Sequence, residues 1–154
     1  MIKKENSKTH IVGAGIAGMT AAINLSKSGK SVIIYEKNDC IGGSRDGDFE
    51  GMENWIFSKN ISDSITECGL DFNGIPKSPV FEFFVHLYGT RPVKIKSPEP
   101  FFDIVKRGTS SDSLDNYLAE ICKSFNVKFL FNQNYDISKA DINAAGSLRS
   151  AAYI

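Results

Sequence analysis

The feature that most constrains the fold is a glycine turn between a short apolar run and a helical pattern. Glycines stand at positions 13, 15 and 18, directly after the run at residues 10–12. Small and apolar residues then recur at helical spacing until Gly29, and a second apolar run covers residues 32–35. This order predicts strand, turn, helix and strand. A run that is apolar at every position is typical of a parallel strand covered on both faces.

Each glycine of the turn has a physical role in binding a dinucleotide. The first permits the tight turn, the second lets the backbone approach a pyrophosphate, and the third lets the helix pack closely on the strand. The N–H groups and positive dipole at the helix start would face the phosphates. The whole turn is therefore predicted to bind the cofactor. Its residues are Gly13, Ala14, Gly15, Ile16, Ala17 and Gly18.

Glu36 ends the second apolar run, about twenty residues after the turn. A carboxylate at this place can accept hydrogen bonds from the 2'- and 3'-hydroxyls of a ribose. A 2'-phosphate would meet a like charge there, which disfavours NADP. The preceding strand, the following helix and this acidic residue distinguish a dinucleotide site from an ordinary glycine-rich turn.

The residues after Glu36 bear on which dinucleotide is bound. The chain continues K-N-D-C-I-G-G-S-R, which places a glycine pair, a serine and an arginine in the loop that leaves the second strand. With this loop the sequence resembles the two-dinucleotide-domain flavoproteins, whose signature runs past the acidic residue into such a glycine pair. The resemblance implies FAD as the cofactor, with NAD as the alternative. It also implies that the cofactor is contacted by Lys37, Gly43, Ser44 and Arg45.

Residues 46–55 are rich in glycine and acidic side chains, and we expect them to form an irregular loop near the cofactor entrance. The carboxylates of this loop, Glu50 among them, are expected to be solvated rather than catalytic. Trp55 is expected to anchor the loop in the core, with the lining of a flavin or lipid pocket as the alternative.

A short helical pattern follows, with Ser58 or Asn60 as its N-cap, and residues 75–79 break regular structure. Residues 80–88 and 93–96 alternate around a Gly-Thr-Arg-Pro turn, which predicts an antiparallel hairpin. Its aromatic face is expected to pack beneath a helix, and lining an apolar substrate pocket is the alternative.

A strand-like run leads into Arg107, and a helical stripe covers residues 114–125, with Ser111 or Ser113 as a candidate cap. Residues 127–131 predict a third buried strand. This part of the sequence resembles the geranylgeranyl-reductase and aromatic-hydroxylase branches of the flavoproteins. The resemblance implies that Arg107 contacts the cofactor, and an exposed arginine at a helix start is the alternative.

The last part of the chain resembles the flavoprotein strand that ends in A-T-G and lies beside the first strand. Here it reads A-D-I-N-A-A-G over residues 140–146, and a further short strand is expected at residues 135–137. Asn143 stands where that buried strand is normally apolar, so its amide would need a partner. Flavoproteins of this kind continue into a Gly-Asp motif and a substrate domain. We therefore expect residues 1–154 to be the N-terminal FAD-binding domain of a longer flavoprotein, with residues 46–100 as an inserted region.

Composition excludes several other classes of protein. The chain has 154 residues, which is one-domain size, and its 18 basic and 18 acidic residues form no basic stripe that would favour nucleic acid. No run reaches the roughly 18 apolar residues of a membrane-spanning helix, so a soluble cytoplasmic protein without an integral membrane segment is expected. Three scattered cysteines and two histidines within strand-like runs indicate neither a disulfide framework nor a metal site.

These observations predict an α/β fold, a Rossmann-like FAD/NAD(P)-binding parallel sheet with an inserted antiparallel hairpin. The expected function is that of an FAD-dependent oxidoreductase in which the flavin carries the hydride. The resemblance implies a small apolar substrate such as an unsaturated isoprenoid, and the amine-oxidase and carotenoid-desaturase branch shares the same signature. The alternative is a stand-alone module that binds NAD or ADP-ribose without catalysis.

Overall fold

The computed structural model of the protein describes residues 8–53 and 58–146. A parallel sheet of four strands lies at its centre. Two smaller antiparallel sheets are formed by the part of the chain between the second and third strands of this central sheet, counted in sequence order. In chain order the elements are β1 (Thr9–Val12), α1 (Ile16–Lys27), β2 (Val32–Tyr35), β3 (Phe49–Glu53), α2 (Ile61–Glu67), β4 (Ser78–Val80), β5 (Glu82–Val85), β6 (Val93–Lys96), β7 (Phe102–Lys106), α3 (Leu114–Ser124), β8 (Lys128–Leu130) and β9 (Ile142–Asn143).

The central sheet has the strand order β8, β2, β1, β9, and every neighbouring pair is parallel. These are the four strands that the sequence predicts for a parallel sheet, so the predicted α/β fold is confirmed. Val12 lies opposite Tyr35 on one side and Asn143 on the other. The carboxyl ends of these strands therefore meet at one edge of the sheet, where ligands of open α/β sheets bind.

Helices α1 and α3 pack together and bury the apolar side chains that join them to the sheet. Met19 and Ile23 of α1 and Leu118 and Cys122 of α3 are fully buried. The Cys122 Sγ lies 3.6 Å from the carbonyl oxygen of Met19, and burial raises the pKa of this thiol to about 12. Cys122 is thus a packing residue. None of the described helices has the length and apolar character needed to cross a bilayer.

Two of the candidate helix caps are confirmed. The Asn60 side chain accepts a hydrogen bond from the Ser62 amide at the start of α2. The Ser113 hydroxyl accepts one from the Asn116 amide at the start of α3. Each cap satisfies an amide that has no partner within its own helix, which fixes where the helix begins.

Strands β5 and β6 form the predicted antiparallel hairpin, with Phe83 opposite Ile95 and Val85 opposite Val93. Its apolar face is largely open. Val93 is 58% exposed and Leu87 is 63% exposed, so the expected packing of this face beneath a helix is wrong. Phe83 instead meets the ring of Phe101 edge to face at 4.9 Å between centroids.

The expectation of an irregular loop over residues 46–55 is wrong for its central part. Phe49–Glu53 forms β3, which pairs with β7 in a three-stranded antiparallel sheet of order β3, β7, β4. Gly51 and two glutamates give this segment little strand propensity of its own, so it is the pairing with β7 that makes it a strand. Trp55 lies outside the described residues.

Two expectations near the end of the chain are also corrected. Residues 135–137 do not form a strand, because Asp136 accepts a hydrogen bond from the Ser138 amide and starts a 3-10 turn. Asn143 is exposed rather than buried, and its side-chain oxygen accepts a hydrogen bond from the Ala145 amide. The cost of burying an unpaired amide therefore does not arise.

Replacing Leu118 with alanine tests the packing of α3 on α1 and the sheet. Because Leu118 is fully buried, L118A is expected to lower the free energy of unfolding by about 2–5 kcal/mol. The matched control L87A removes the same atoms from an exposed position on the hairpin and should stay within about 0.5 kcal/mol of the wild type. Urea unfolding followed by circular dichroism measures both. Equal losses in the two variants would contradict the described core.

Candidate dinucleotide-binding site

A cavity of about 440 Å³ opens at the carboxyl ends of the central strands. Its walls come from the turn after β1, the tip of β2, the loop that follows β2, the segment after β8 and the end of β9. The lining residues are Val12, Gly13, Gly15, Tyr35, Glu36, Lys37, Ser44, Arg45, Gln133, Ala144, Ala145 and Gly146.

The glycines of the turn have different surroundings. A Cβ on Gly13 would lie 2.4 Å from the carbonyl oxygen of Ala144, and the φ of Gly13 is +100°. A Cβ on Gly18 would lie 2.0 Å from the carbonyl oxygen of Gly13. A Cβ on Gly15 would meet no atom of the described residues within 4 Å. Gly13 and Gly18 are therefore required by backbone packing, whereas Gly15 leaves its side of the turn open to the cavity.

Helix α1 begins at the cavity without a side-chain cap. Its N-cap is Gly15, no described side chain accepts from its first amides, and its first turn has no acidic residue. In contrast, α2 and α3 begin with capped amides and an acidic residue in the first turn. The amide groups and positive end of the α1 dipole are thus available to an anion in the cavity.

Glu36 joins the glycine turn to the tip of β2. One carboxylate oxygen accepts from the Ala14 amide at 2.9 Å, and the other accepts from the Asn38 amide at 2.9 Å. Glu36 is 9% exposed and lines the cavity. A carboxylate has about four acceptor positions, so acceptor capacity remains for the hydroxyls of a ribose. A phosphate placed against this buried carboxylate would be repelled.

The loop after β2 also brings polar side chains to the cavity. The Asn38 side chain donates to the Ser44 hydroxyl at 2.8 Å. Arg45 pairs with Asp48, with 3.1 Å between Nε and the carboxylate, and it also pairs with Glu50. Ser44 and Arg45 line the cavity beside these contacts. The expectation that Glu50 is merely solvated is therefore wrong.

Arg107 does not line the cavity, because its guanidinium group faces two carboxylates. It donates to Asp115 through Nε at 2.8 Å and Nη2 at 2.9 Å, and it pairs with Glu50 at 2.8 Å. The side chains of Arg107 and Asp115 are 8% and 2% exposed. Burial by itself would raise the pKa of Asp115, but hydrogen bonds from Arg107 and the Gly108 amide outweigh it and the pKa is lowered. The hydrogen bond to Asp115 raises the pKa of Arg107, so the pair is ionised.

The structure brings only some of the predicted site residues to the cavity. The predicted residues that line it are Gly13, Gly15, Glu36, Lys37, Ser44 and Arg45. The predicted residues that do not line it are Ala14, Ile16, Ala17, Gly18, Gly43 and Arg107. The sequence reasoning did not name the wall formed by Ala144 and Ala145. The predicted pairing of their strand with β1 could have indicated this wall, because that pairing places the end of the strand beside the glycine turn.

A parallel sheet, a glycine turn entering an uncapped helix and an acidic residue at the second strand tip define a Rossmann-like dinucleotide-binding domain. The profile of the NAD(P)-binding Rossmann-like domain family matches residues 11–52, which contain the turn, α1, β2 and the loop after β2. Residues 11–52 therefore resemble the NAD(P)-binding Rossmann-like domain family, and the parallel sheet of the described residues agrees with this resemblance.

The chain is also similar to several named proteins. It is 44% identical over 43 residues to 4,4'-diapolycopene oxygenase from Methylomonas sp, covering 28% of this chain and 9% of that protein. It is 27% identical over 139 residues to flavin-containing monooxygenase FMO GS-OX-like 8 from Arabidopsis thaliana, covering 86% of this chain and 27% of that protein. The structure of CtdE in complex with FAD and a substrate aligns with a TM-score of 0.56 at 20% identity, covering 82% of this chain and 30% of CtdE. The aligned part is less than a third of each protein.

Two glycine substitutions separate packing from ligand access. Glycine to alanine within a helix normally stabilises by about 1 kcal/mol, but G18A is expected to destabilise by about 1–3 kcal/mol because its methyl group meets the Gly13 carbonyl. G15A should remain within about 1 kcal/mol of the wild type, since Gly15 has an extended backbone and open surroundings. Urea unfolding of both variants checks the expectation. A stabilised G18A would show that the turn is not packed as described.

The Arg107–Asp115 pair predicts a pH-dependent difference between the wild type and D115N. Breaking a buried ion pair is strongly destabilising, and D115N leaves Arg107 with Glu50 as its remaining described carboxylate partner, so D115N should lose about 3 kcal/mol at neutral pH. Because the folded pKa of Asp115 is below 3.8, its contribution is complete above that pH and is lost as the pH falls through the lowered value. The difference between the two unfolding free energies, measured from pH 7 downwards, should therefore be constant above about pH 5 and should shrink as the pH falls below 3.8. A difference that is independent of pH would contradict an ionised Asp115.

Proposed function

We propose that this chain binds FAD in the cavity at the carboxyl edge of the central sheet and is the cofactor-binding part of an FAD-dependent oxidoreductase. The observation that carries the proposal is that Gly15 and Glu36 line the same cavity. Gly15 leaves the start of α1 open to the cavity, and the Glu36 carboxylate lies 2.9 Å from the Ala14 amide of the same turn. A diphosphate and its adjoining ribose require this combination of donors and acceptor.

The residues present fit the adenosine diphosphate half of such a cofactor. The amides at the start of α1 would bind the diphosphate, and Glu36 would accept from the ribose hydroxyls and exclude a 2'-phosphate. Ser44 and Arg45 line the same cavity and offer a hydroxyl and a cation to the rest of the cofactor. The cavity of about 440 Å³ is within the usual range of small-molecule sites, which begins at roughly 300 Å³.

When bound, the flavin supplies the redox chemistry by accepting or donating a hydride. The side chains described here bind and orient the cofactor. Gly13 and Gly18 keep the turn packed against the sheet, so the amides of α1 keep their position relative to Glu36. Remote contacts of this kind hold a reactive group in place without taking part in the reaction.

A small apolar molecule, with an isoprenoid as one possibility, is the proposed substrate. Support comes from the open apolar face of the β5–β6 hairpin and from the match to 4,4'-diapolycopene oxygenase, although the match covers only 43 residues. We further propose hydride transfer as the reaction type and the cytoplasm as the location. The balanced composition, with 18 basic and 18 acidic residues, supports a partner that is neither nucleic acid nor a charged polymer.

Binding of FAD by the purified 154-residue chain tests the proposal. The wild type should retain or take up flavin, seen as absorbance at about 450 nm and as saturable quenching of flavin fluorescence. E36A should bind FAD at least about tenfold more weakly because a charged acceptor of two hydroxyls is lost. The control E120A removes an exposed carboxylate on α3 and should bind like the wild type.

The FMN affinity provides a second control within the same experiment. FMN has no adenosine, so E36A and the wild type should bind it equally, whatever its absolute affinity.

G15A, which should fold normally, is expected to bind FAD more weakly because its methyl group enters the cavity. Binding of NAD or ADP-ribose with no binding of FAD would instead identify a nucleotide-binding module and overturn the proposal.

A further inference from the structure

Two segments that extend from the same end of the β3–β7 ladder touch each other beside the strands. We call residues 42–48 the cofactor loop, since it contains the cavity-lining Ser44 and Arg45. We call residues 107–113 the β7–α3 turn. A Cβ on Gly42 would lie 2.4 Å from the carbonyl oxygen of Gly108, so the two backbones are in direct contact. The cofactor loop thus rests on the β7–α3 turn.

Hydrogen bonds to Asp46 hold the cofactor loop in this position. The Asp46 carboxylate accepts from the Thr109 amide at 2.9 Å and from the Thr109 hydroxyl at 2.7 Å. The amide hydrogen bond, followed by the hydroxyl one, lowers the pKa of Asp46, so the carboxylate is ionised at neutral pH. The Arg107 amide also donates to the carbonyl oxygen of Asp48 at 2.9 Å. The loop is therefore bound at two places along its length.

The side chain of Glu50 also connects the cofactor loop to the β7–α3 turn. It pairs with Arg45 on the cofactor loop and with Arg107 on the β7–α3 turn, and Arg107 is held in turn by Asp115. Because Arg107 and Asp115 are almost fully buried, their positions are determined by the core and not by the cavity. The buried Arg107–Asp115 pair therefore holds Glu50, and Glu50 in turn holds Arg45.

The β7–α3 turn is itself rigidly bonded. The Ser113 hydroxyl donates to the Gly108 carbonyl oxygen at 2.7 Å, and the Asn116 side chain donates to the carbonyl oxygens of Thr109 and Ser110 at 2.7 and 2.8 Å. Local side-chain hydrogen bonds of this kind remove the conformational freedom of a turn. A turn with so many internal bonds can act as a support for a neighbouring loop.

From these contacts we infer that Asp46 is a positioning residue, which docks the cofactor loop on the β7–α3 turn and thereby places Ser44 and Arg45 for the part of the cofactor beyond its adenosine diphosphate. The inference rests on the proposed binding of FAD. Glu36 and the glycine turn account for the adenosine diphosphate, so Ser44 and Arg45, which line the same cavity, are left to contact the rest of the cofactor. Arg107 acts in this arrangement through Glu50 and not by touching the cofactor.

The affinities of Asp46 variants for FAD and ADP test this role. D46A removes both hydrogen bonds from Thr109 and should weaken FAD binding by about fivefold or more, while ADP binding stays within about twofold of the wild type. D46N keeps an oxygen that can accept from Thr109 and should bind both ligands like the wild type. D112A is the matched control, because it removes an exposed carboxylate of the β7–α3 turn that pairs with Lys106 and not with the loop. FAD affinity is measured by flavin fluorescence and ADP affinity by calorimetry.

Hydrogen exchange reports the docking without any ligand. The Thr109 amide donates to Asp46, so its exchange should become faster in D46A and remain slow in D46N and D112A. Thermal unfolding of all three variants should match the wild type, since Asp46 is exposed.

Each other result would overturn the inference in a recognisable way. Wild-type FAD affinity in D46A would show that the docking contact does not position the cofactor loop for the cofactor. Equal losses for FAD and ADP in D46A would show a general effect on the site, and a D46N variant that behaves like D46A would show an effect of charge. A wild type that binds ADP but shows no saturable FAD binding would refute the proposed function, and the inference with it.

Discussion

Backbone packing around Gly13 sets the position of every other part of the site. On one side Gly13 lies against the carbonyl group of Ala144, and on the other its own carbonyl lies against Gly18. Strands β1 and β9 and helix α1 therefore meet without an intervening side chain. Because the amides at the start of α1 are fixed by this contact, the anion-binding end of the helix lies directly at the carboxyl edge of the sheet. The geometry of the site is thus largely a property of the backbone.

One buried carboxylate then serves both structure and recognition. Glu36 binds the Ala14 and Asn38 amides, which ties the glycine turn to the loop after β2. Its negative charge lies near the positive end of the α1 dipole, which is a favourable electrostatic arrangement. In the proposed function, the same charge would accept ribose hydroxyls and repel a phosphate. A residue that joins the glycine turn to the loop after β2 would then also determine which ribose can enter.

The sequence predicted those parts of the site that are formed by residues close together in the chain. The spacing of Gly13, Gly15 and Gly18 and the place of Glu36 are contained in one continuous unit, and so the structure has them as expected. In contrast, β3 exists because it pairs with β7, a partner far along the chain. The two partners of Arg107 could not be found for the same reason, since a single sequence does not show which distant carboxylate an arginine meets.

The chain between β2 and β8 is more than an insertion carried on the dinucleotide-binding unit. The cofactor loop continues directly into β3, β3 pairs along its whole length with β7, and β7 ends in the turn on which the loop rests. The antiparallel sheet and the cofactor loop therefore form a closed path through Glu50, Arg107 and the loop backbone. A shift of β7 relative to β3 would have to move Arg45 or break an ion pair. The antiparallel sheet is thus connected, by hydrogen bonds and ion pairs, to the residues that line the cofactor cavity.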